Sequence, residues 1–195
     1  IGWYSNLLIV KNIEVRGTQE IPIELVTETS QVSLNTQLLR VPTAGVVERL
    51  KTIPQVGNVE VRRGWPYTLV IDITERIPVA ITDLAEGRFL VDQSGFPYLP
   101  APSGANFPLI SGPDDLSRNS SILVWQSFPD WLKPEIASTN ADNPNSVWLA
   151  MTNGRKVLWG NTDNSTEKSA VLRVLRRMAA STYDVSTPEV PVVKP

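Results

Sequence analysis

The stretch "EVRRGWPYTLVIDITERIPVA", residues 60–80, decides the fold prediction. Leu69, Ile71 and Ile73 recur at every second position, which is the period of a half-buried β-strand. The residues up to Val61 alternate in the same way between apolar and charged side chains. Between the two runs, "RGWPY" supplies the glycine and proline of a turn. The stretch therefore predicts an antiparallel β-hairpin.

Upstream of the hairpin, the sequence predicts one strand and two helices. Residues 9–16, "IVKNIEVR", alternate as a strand does, and Gly17 ends them. Residues 20–29 predict a short helix with Pro22 in its first turn, and residues 42–53 predict a second helix. The order strand, helix, helix, strand, strand indicates a small α+β layer with both helices on one sheet face. The faces predicted to pack are Ile21, Leu25 and Glu28 in the first helix and Val46, Val47, Leu50 and Ile53 in the second.

Downstream of the hairpin, the sequence predicts short strands between turns. "RFLVDQSGFPYL", residues 88–99, is typical of a strand that runs into a turn. "FPLISGP", residues 107–113, is an apolar run closed by glycine and proline. Residues 114–146 are rich in proline and asparagine, which favours loops, and "NSSILVWQSF" within them is the best candidate for a strand or a helix.

A second hairpin and a late helix come next in the sequence. In residues 145–161, Asn153-Gly154 is a favoured dipeptide for a two-residue turn between antiparallel strands. Asn164 and Glu167 have capping-box spacing at the start of the next helix. The fold prediction is therefore α+β, with the first layer followed by a mixed, mainly antiparallel β-domain that carries a late helix. The apolar face predicted for that helix consists of Val171, Leu172, Leu175, Met178 and Ala179.

The terminal stretch, "TYDVSTPEVPVVKP", alternates apolar residues among prolines. Proline has no N–H to donate to a sheet, so Pro188 and Pro191 restrict this stretch to an edge strand or a tail. An edge strand also offers unpaired backbone groups to another chain.

The residue inventory excludes most enzyme mechanisms. The 195 residues include no histidine and no cysteine, which excludes His-based triads, thiol nucleophiles, disulfides and Cys or His zinc sites. Adjacent carboxylates such as Asp114 and Asp115 are more typical of a loop start than of an acid–base pair. With 18 basic and 20 acidic residues, neither half has the charge of a nucleic-acid-binding protein.

No apolar run in the sequence is long enough to span a membrane. Trp3 and Tyr4, near the start, are typical of a position beside a membrane segment, so one hypothesis places an N-terminal anchor ahead of residue 1. The trimming of an ordinary soluble domain explains the same residues.

Several motifs in one order resemble a known family. The chain resembles the extracytoplasmic part of the bacterial division proteins FtsQ, also called DivIB, in "IEVRG", "VVERLKTIPQVGNVEVRRGWPYTLVIDITERIPVA", "LVDQSGFPY", "PLISGP", "VWLAMTNGRKVLWG" and "EKSAVLRVLRRM". Each motif is weakly specific. The series, however, covers nearly the whole chain in the expected order.

The resemblance implies a domain organisation and a function. It implies a membrane-proximal segment at 1–8, a POTRA domain at 9–77, a β-domain at 78–187 and a C-terminal tail at 188–195. An N-terminal transmembrane helix would hold this region on the extracytoplasmic, periplasmic side of the cell membrane at the division septum. The implied function is a non-enzymatic divisome scaffold that binds FtsB and FtsL and thereby brings in septal peptidoglycan synthases, with no cofactor.

The resemblance also assigns residues to two groups. In the hairpin and the domain junction, Trp65 and Leu69 are expected to pack, and Glu75 is expected to pair with Arg62 or Arg63. At the partner site, a strand of FtsB adds to the sheet edge by β-augmentation, although a solvated helix face explains the arginines there equally well. The first group is Arg63, Trp65, Pro66, Leu69, Glu75, Arg76, Pro78, Val79 and Ala80. The second group is Arg173, Arg176, Arg177, Thr182, Tyr183, Asp184, Val185, Ser186 and Thr187.

Two other functions stay open. A POTRA-type module of an outer-membrane assembly or secretion protein would bind client strands by the same edge pairing. A general adaptor would bind a partner unrelated to division. The part of the chain after the POTRA module distinguishes the first of these from a division protein.

Overall fold

The computed structural model describes residues 8–195 and divides into two compact units at the bond between Arg76 and Ile77. Each unit has its own hydrophobic core. The described chain is α+β, as predicted. Trp3 and Tyr4, on which the anchor hypothesis rests, lie outside the described residues.

The N-terminal unit has the predicted order of strand, two helices and two strands. In its three-stranded sheet the order is β1-β3-β2, with β1 parallel and β2 antiparallel to β3. A 3-10 turn, Leu38–Arg40, separates the helices. The elements are β1 Asn12–Arg16, α1 Ile23–Ser30, α2 Thr43–Leu50, β2 Val56–Gly64 and β3 Thr68–Glu75.

The predicted hairpin of the N-terminal unit is confirmed as β2 and β3. Leu69, Ile71 and Ile73 are buried, and they share one core with apolar residues of both helices. Gly17 ends β1 with a φ of +81°, and a Cβ there would lie 2.0 Å from the Ile73 carbonyl oxygen. The chain can therefore turn against β3 only because residue 17 has no side chain.

The buried face predicted for the first helix is wrong. Pro22 is the N-cap residue, so α1 begins at Ile23, and Val26 and Ser30 face the core. Leu25 and Glu28 are exposed. Ile21 is buried, but it precedes the helix and therefore does not mark the helix's buried face. The face predicted for the second helix is confirmed at its buried positions, which are Val46, Leu50 and the following Ile53.

The C-terminal unit is a mainly antiparallel sheet with two helices. A three-stranded part in the order β4-β5-β6 is joined to a six-stranded part, β12-β11-β10-β9-β8-β7, by a parallel bridge between Ile81 and Leu109. The elements are β4 Pro78–Leu84, β5 Gly87–Asp92, β6 Pro97–Pro100, β7 Ile110–Ser111, α3 Asp115–Gln126, β8 Ile136–Asn143, β9 Ser146–Met151, β10 Lys156–Gly160, α4 Ser165–Leu175, β11 Thr182–Asp184 and β12 Val192–Lys194.

The main core of the C-terminal unit lies between the six-stranded part and the helices. Trp159 of β10 is fully buried, and the ring of Phe128 meets it edge-on at 5.0 Å between centroids. Leu172 of α4 and Tyr183 of β11 belong to the same cluster. The core thus fixes α4 and the last strands to the centre of the sheet.

Residues 114–146 contain more regular structure than the predicted loops, because they include the 12-residue helix α3. The stretch "NSSILVWQSF", predicted as a strand or a helix, lies mostly within this helix. The Asp114 side chain accepts a hydrogen bond from the Ser117 N–H at 2.7 Å and caps the helix. Ser117, Arg118 and Ser121 lie on the buried face beside apolar residues. Because these polar side chains occupy buried positions, the sequence lacks the periodic apolar pattern that predicts a helix.

Three further details differ from the prediction. The second hairpin has a three-residue loop: Met151 and Arg155 pair across it, and Gly154 takes a positive φ after a turn. Asn164 is in the left-handed region and makes no side-chain cap, so the capping box does not form. The helix α4 ends at Leu175, so Met178 and Ala179 lie beyond it.

Candidate functional site

The terminal hairpin, β11 and β12, forms one edge of the six-stranded part. β11 pairs in parallel with β10 on one side and antiparallel with β12 on the other. The Val185 N–H donates to the Leu158 carbonyl at 3.0 Å, and the Lys156 N–H donates to the Ser181 carbonyl at 2.9 Å. Within β11, the backbone groups of Tyr183 therefore face β10, and those of Thr182 and Asp184 face β12. Just before β11, the Ser181 N–H donates to the Lys194 carbonyl of β12 at 3.1 Å.

The open backbone groups of this edge belong to Val193. Thr182 and Asp184, which face β12, lie opposite Lys194 and Val192. Pairing with β11 engages the peptide groups of Lys194 and Val192, because alternate residues of an antiparallel strand hydrogen-bond to the same neighbour. The N–H and C=O of Val193 consequently point away from the sheet.

Prolines limit the length of this open edge. Pro191 precedes β12 and Pro195 follows it, and neither has an N–H. Within β12, Val193 therefore supplies the one outward N–H donor. The Val193 side chain packs partly against the main core, so its backbone is held in place.

The predicted edge at Thr182–Thr187 is not where the sheet ends, because β12 covers it. That strand lies in the segment 188–195, which the resemblance predicts to be a tail. Tyr183 and Val185 are buried in the main core. Asp184 accepts hydrogen bonds from the N–H (3.0 Å) and the hydroxyl (2.7 Å) of Ser186, so it stabilises the turn after β11. A contact of these residues with a partner stays a prediction.

Beside the hairpin, the end of α4 carries a stack of arginines on an indole ring. The guanidinium carbons of Arg173 and Arg176 lie 5.6 and 5.1 Å from the centroid of Trp131. Arg176 also forms an ion pair with Glu135, whereas Arg177 is exposed. The structure thus brings together two of the three predicted arginines.

A hydrogen-bond latch holds the end of α4 against the sheet. The Tyr183 hydroxyl donates to the Met178 carbonyl at 2.8 Å. Arg155 donates to that hydroxyl at 2.8 Å and to the Arg176 carbonyl at 2.9 Å. Met178, whose carbonyl belongs to the latch, and Val174 of α4 are 52% and 65% exposed.

Glu75 of the hairpin motif binds backbone, not arginine. Its carboxylate accepts hydrogen bonds from the consecutive N–H groups of Gln19 (2.7 Å), Glu20 (3.0 Å) and Ile21 (2.9 Å). Burial alone would raise the pKa of Glu75, but these N–H donors outweigh it and lower the pKa overall. The expected pair with Arg62 or Arg63 is wrong, because Arg62 pairs with Asp72 at 3.0 Å.

Arg63 also acts on the backbone of its own unit. Its guanidinium donates to the carbonyl oxygens of Leu38 and Val41, each at 2.9 Å, and so holds the turn between the helices. Leu69 is buried as expected, but Trp65 is 62% exposed, because the Trp65–Pro66 pair forms the tip of the hairpin.

The remaining motif residues lie where β3 ends and β4 begins. The Arg76 N–H donates to the Gln55 carbonyl at 2.7 Å and continues the pairing of β2 and β3. Pro78 is the first residue of β4, Ala80 is buried in a small cluster of the C-terminal unit, and Val79 packs against that cluster.

Comparison with known proteins shows what this arrangement is. Residues 8–76 match the family described as "POTRA domain, FtsQ-type", and residues 80–190 match "Cell division protein FtsQ/DivIB, C-terminal". The chain belongs to the FtsQ/DivIB family. The match after the POTRA part distinguishes it from a module of an outer-membrane assembly or secretion protein. A role in cell division follows from the family.

Curated relatives agree with this assignment. The chain is 34% identical to "Cell division protein FtsQ" of Mycolicibacterium smegmatis, over 98% of the chain and 59% of that protein. It is 33% identical to the protein of the same name from Mycobacterium leprae, over 95% of the chain and 55% of the relative. It is 32% identical to the protein of the same name from Streptomyces bingchenggensis, over 97% of the chain and 77% of the relative. The chain thus spans a little over half the length of the two mycobacterial relatives.

Residues 8–195 lack two features that would point to other kinds of site. No helix there has both the length and the apolar character needed to cross a membrane. In the same residues, no cluster of three or more potential metal-ligating side chains occurs.

Sequence reasoning missed three features of the terminal site: Trp131, Glu135 and Arg155. β12 lies in the stretch that the prolines restrict to an edge strand or a tail, and the structure shows an edge strand. Trp131 and Glu135 lie in the stretch predicted as loops, and their contacts with α4 bridge about forty residues of sequence. A lone arginine after Asn153-Gly154 carries no signal that it will reach Tyr183.

Proposed function

We propose that this chain is the extracytoplasmic part of a membrane-anchored divisome scaffold without enzymatic activity. It recruits FtsB- and FtsL-type proteins to the septum, links early and late division proteins, and through its partners brings in septal peptidoglycan synthases. The observation that carries the proposal is the outward N–H and C=O of Val193 in β12. An edge strand of this kind takes up an extended partner segment by β-augmentation.

The short edge requires help from side chains. A partner strand can form two backbone hydrogen bonds to Val193 and can donate one more to the carbonyl of Pro191, which is few bonds for a stable complex. The Pro195 carbonyl already accepts a hydrogen bond from the Ser181 hydroxyl at 2.8 Å. The exposed Met178, whose carbonyl binds the Tyr183 hydroxyl of β11, and the exposed Val174 of α4 offer apolar contact area at the end of α4. The partner segment therefore combines a short extended stretch with an apolar stretch that reaches the end of α4.

Charge favours an acidic partner segment at the same place. Arg173 and Arg177 are exposed, and Lys194 is exposed in β12. Glu135 offsets the charge of Arg176 only, since it pairs with that residue. Rim charges of this kind mainly raise the association rate and select the partner.

The test is the binding of a peptide from the membrane-proximal extracytoplasmic part of the cognate FtsB homologue. Val193→Pro removes the outward N–H and keeps a β-compatible φ, so we expect roughly tenfold weaker binding. Val193→Ala is the matched control, because it shortens the same side chain and keeps the N–H. Equal affinity of the two variants contradicts the proposal, provided that both unfold cooperatively at similar temperatures.

A further inference from the structure

One end of the N-terminal unit combines basic and aromatic residues. It consists of residues 8–13, 34–41 and 62–69, and we name it the basic end. The Leu38 N–H donates to the Leu8 carbonyl at 2.8 Å, and the Lys11 N–H donates to the Tyr67 carbonyl at 2.8 Å. These hydrogen bonds bring the three segments together at the hairpin tip.

The basic end holds four cations and no acidic residue. Residues 8–76 contain eight basic and eight acidic side chains, so the unit as a whole is neutral. Half of its cations lie in the three segments, whereas every acidic residue lies outside them. Asp72 is the one that reaches toward the basic end, where it pairs with Arg62. The four cations are Lys11, Arg40, Arg62 and Arg63.

Large apolar side chains are exposed among these cations. Trp65 is 62% exposed at the hairpin tip, and Leu39 and Tyr67 are exposed beside it. The Lys11 ammonium lies 4.2 Å from the centroid of the Tyr67 ring, so cation and ring present one surface. Tryptophan and tyrosine with neighbouring basic residues are the side chains that settle at the interface between lipid headgroups and water.

We propose that the basic end lies against an anionic lipid surface. Lys and Arg near such a surface each gain favourable energy from its negative potential, and the exposed indole ring inserts at headgroup level. The first described residue, Leu8, lies at this end. An N-terminal membrane anchor, which is part of the proposed function and on which this step rests, would therefore deliver this end of the unit to the lipid first.

The rest of the unit is net acidic, with eight acidic and four basic side chains outside the three segments. At the opposite end, Glu20 precedes α1 and Glu24 lies in its first turn, close to the site where Glu75 binds the backbone. Acidic side chains are repelled by anionic headgroups and remain strongly hydrated. The charge separation thus orients the unit, with the hairpin tip toward lipid and the start of α1 away from it.

The test is flotation of the full chain with vesicles of phosphatidylcholine, alone or with a fraction of phosphatidylglycerol. We expect binding only with phosphatidylglycerol, weakened by salt. The double variant Lys11→Glu with Arg40→Glu removes two attractions and adds two repulsions, so it should bind at least about 30-fold more weakly. Arg16→Glu with Lys51→Glu makes the same change in net charge outside the basic end, and it should bind within about twofold of the parent.

Three results overturn the proposal. The first is an equal loss of vesicle binding in the two double variants. The second is equal binding of the parent to both kinds of vesicle. The third is parent-like binding by the triple variant Trp65→Ala, Lys11→Glu and Arg40→Glu. A spin-labelled headgroup gives a second readout, since it should broaden the amide signal of Tyr67 and leave that of Glu24 sharp. The partner test is independent, because Val193→Pro should bind vesicles as the parent does.

Discussion

Two hairpins of the molecule differ in length and in burial. One is β2–β3 of the N-terminal unit, and the other is β11–β12 of the C-terminal unit. β2 and β3 contain nine and eight residues, and their core-facing side chains are buried. β11 and β12 contain three residues each, among prolines. The long hairpin is a scaffold, and the short one leaves backbone groups available to a partner.

Charged side chains show the same contrast. In the long hairpin, Glu75 and Arg63 bind the backbone of their own unit, so their hydrogen-bonding capacity is already used. Beside the short hairpin, Arg173 and Arg177 are exposed, and Val193 has an outward N–H. The motif that identifies the family is therefore concentrated in the scaffold, whereas the proposed partner site lies where the sequence signal is weakest.

Leu69→Ala tests the scaffold side of the comparison and has the largest expected effect. Leu69 is fully buried at the centre of the long hairpin, so we expect a loss of about 3 kcal/mol in the free energy of unfolding. Urea denaturation measures this free energy. The control Leu34→Ala changes an exposed leucine, so it should alter the free energy of unfolding by less than about 0.5 kcal/mol. If folded Leu69→Ala protein bound the partner peptide more weakly than the parent, the long hairpin would not be a scaffold alone, and the contrast between the two hairpins would be contradicted.

Glu75→Gln tests whether the carboxylate is a structural anchor. We expect the free energy of unfolding to fall by about 1 kcal/mol at neutral pH, because the N–H groups of residues 19–21 lose a charged acceptor. The folded-state pKa is lowered, so the stabilisation is complete above the unfolded-state pKa and disappears as the pH falls through the folded-state value. The difference from the parent should therefore shrink in acid, below the usual pKa of 4.5. Glu60→Gln, an exposed control, should show no such trend.

Tyr183→Phe tests the latch between the short hairpin and α4, with the smallest expected effect on stability. The substitution removes the hydrogen bonds with Met178 and Arg155 and keeps the buried ring, so we expect a loss of about 1 kcal/mol or less. Because the latch positions the end of α4, partner affinity should fall as well. A lower free energy of unfolding with unchanged affinity for the partner peptide would show that the end of α4 is not part of the partner site.

How far the sequence predicts this molecule differs between the two hairpins. The long hairpin is predictable because apolar residues repeat with period two in both strands and because glycine and proline mark its tip. α3 is not, since Ser117, Arg118 and Ser121 occupy its buried face. The family motif locates residues such as Glu75 correctly but not their contacts. The terminal prolines restrict β12 to an edge strand or a tail. The stack on Trp131 depends on tertiary packing, which a local pattern does not predict.

The most direct test of the central claim is amide hydrogen exchange at Val193, Val192 and Lys194, with and without saturating partner peptide. The N–H of Val193 points outward, so it should exchange fast in the free protein, whereas those of Val192 and Lys194 are already protected by β11. We predict that the peptide slows exchange at Val193 and changes the other two little. Binding that leaves Val193 fast, with new protection elsewhere, would contradict the claim.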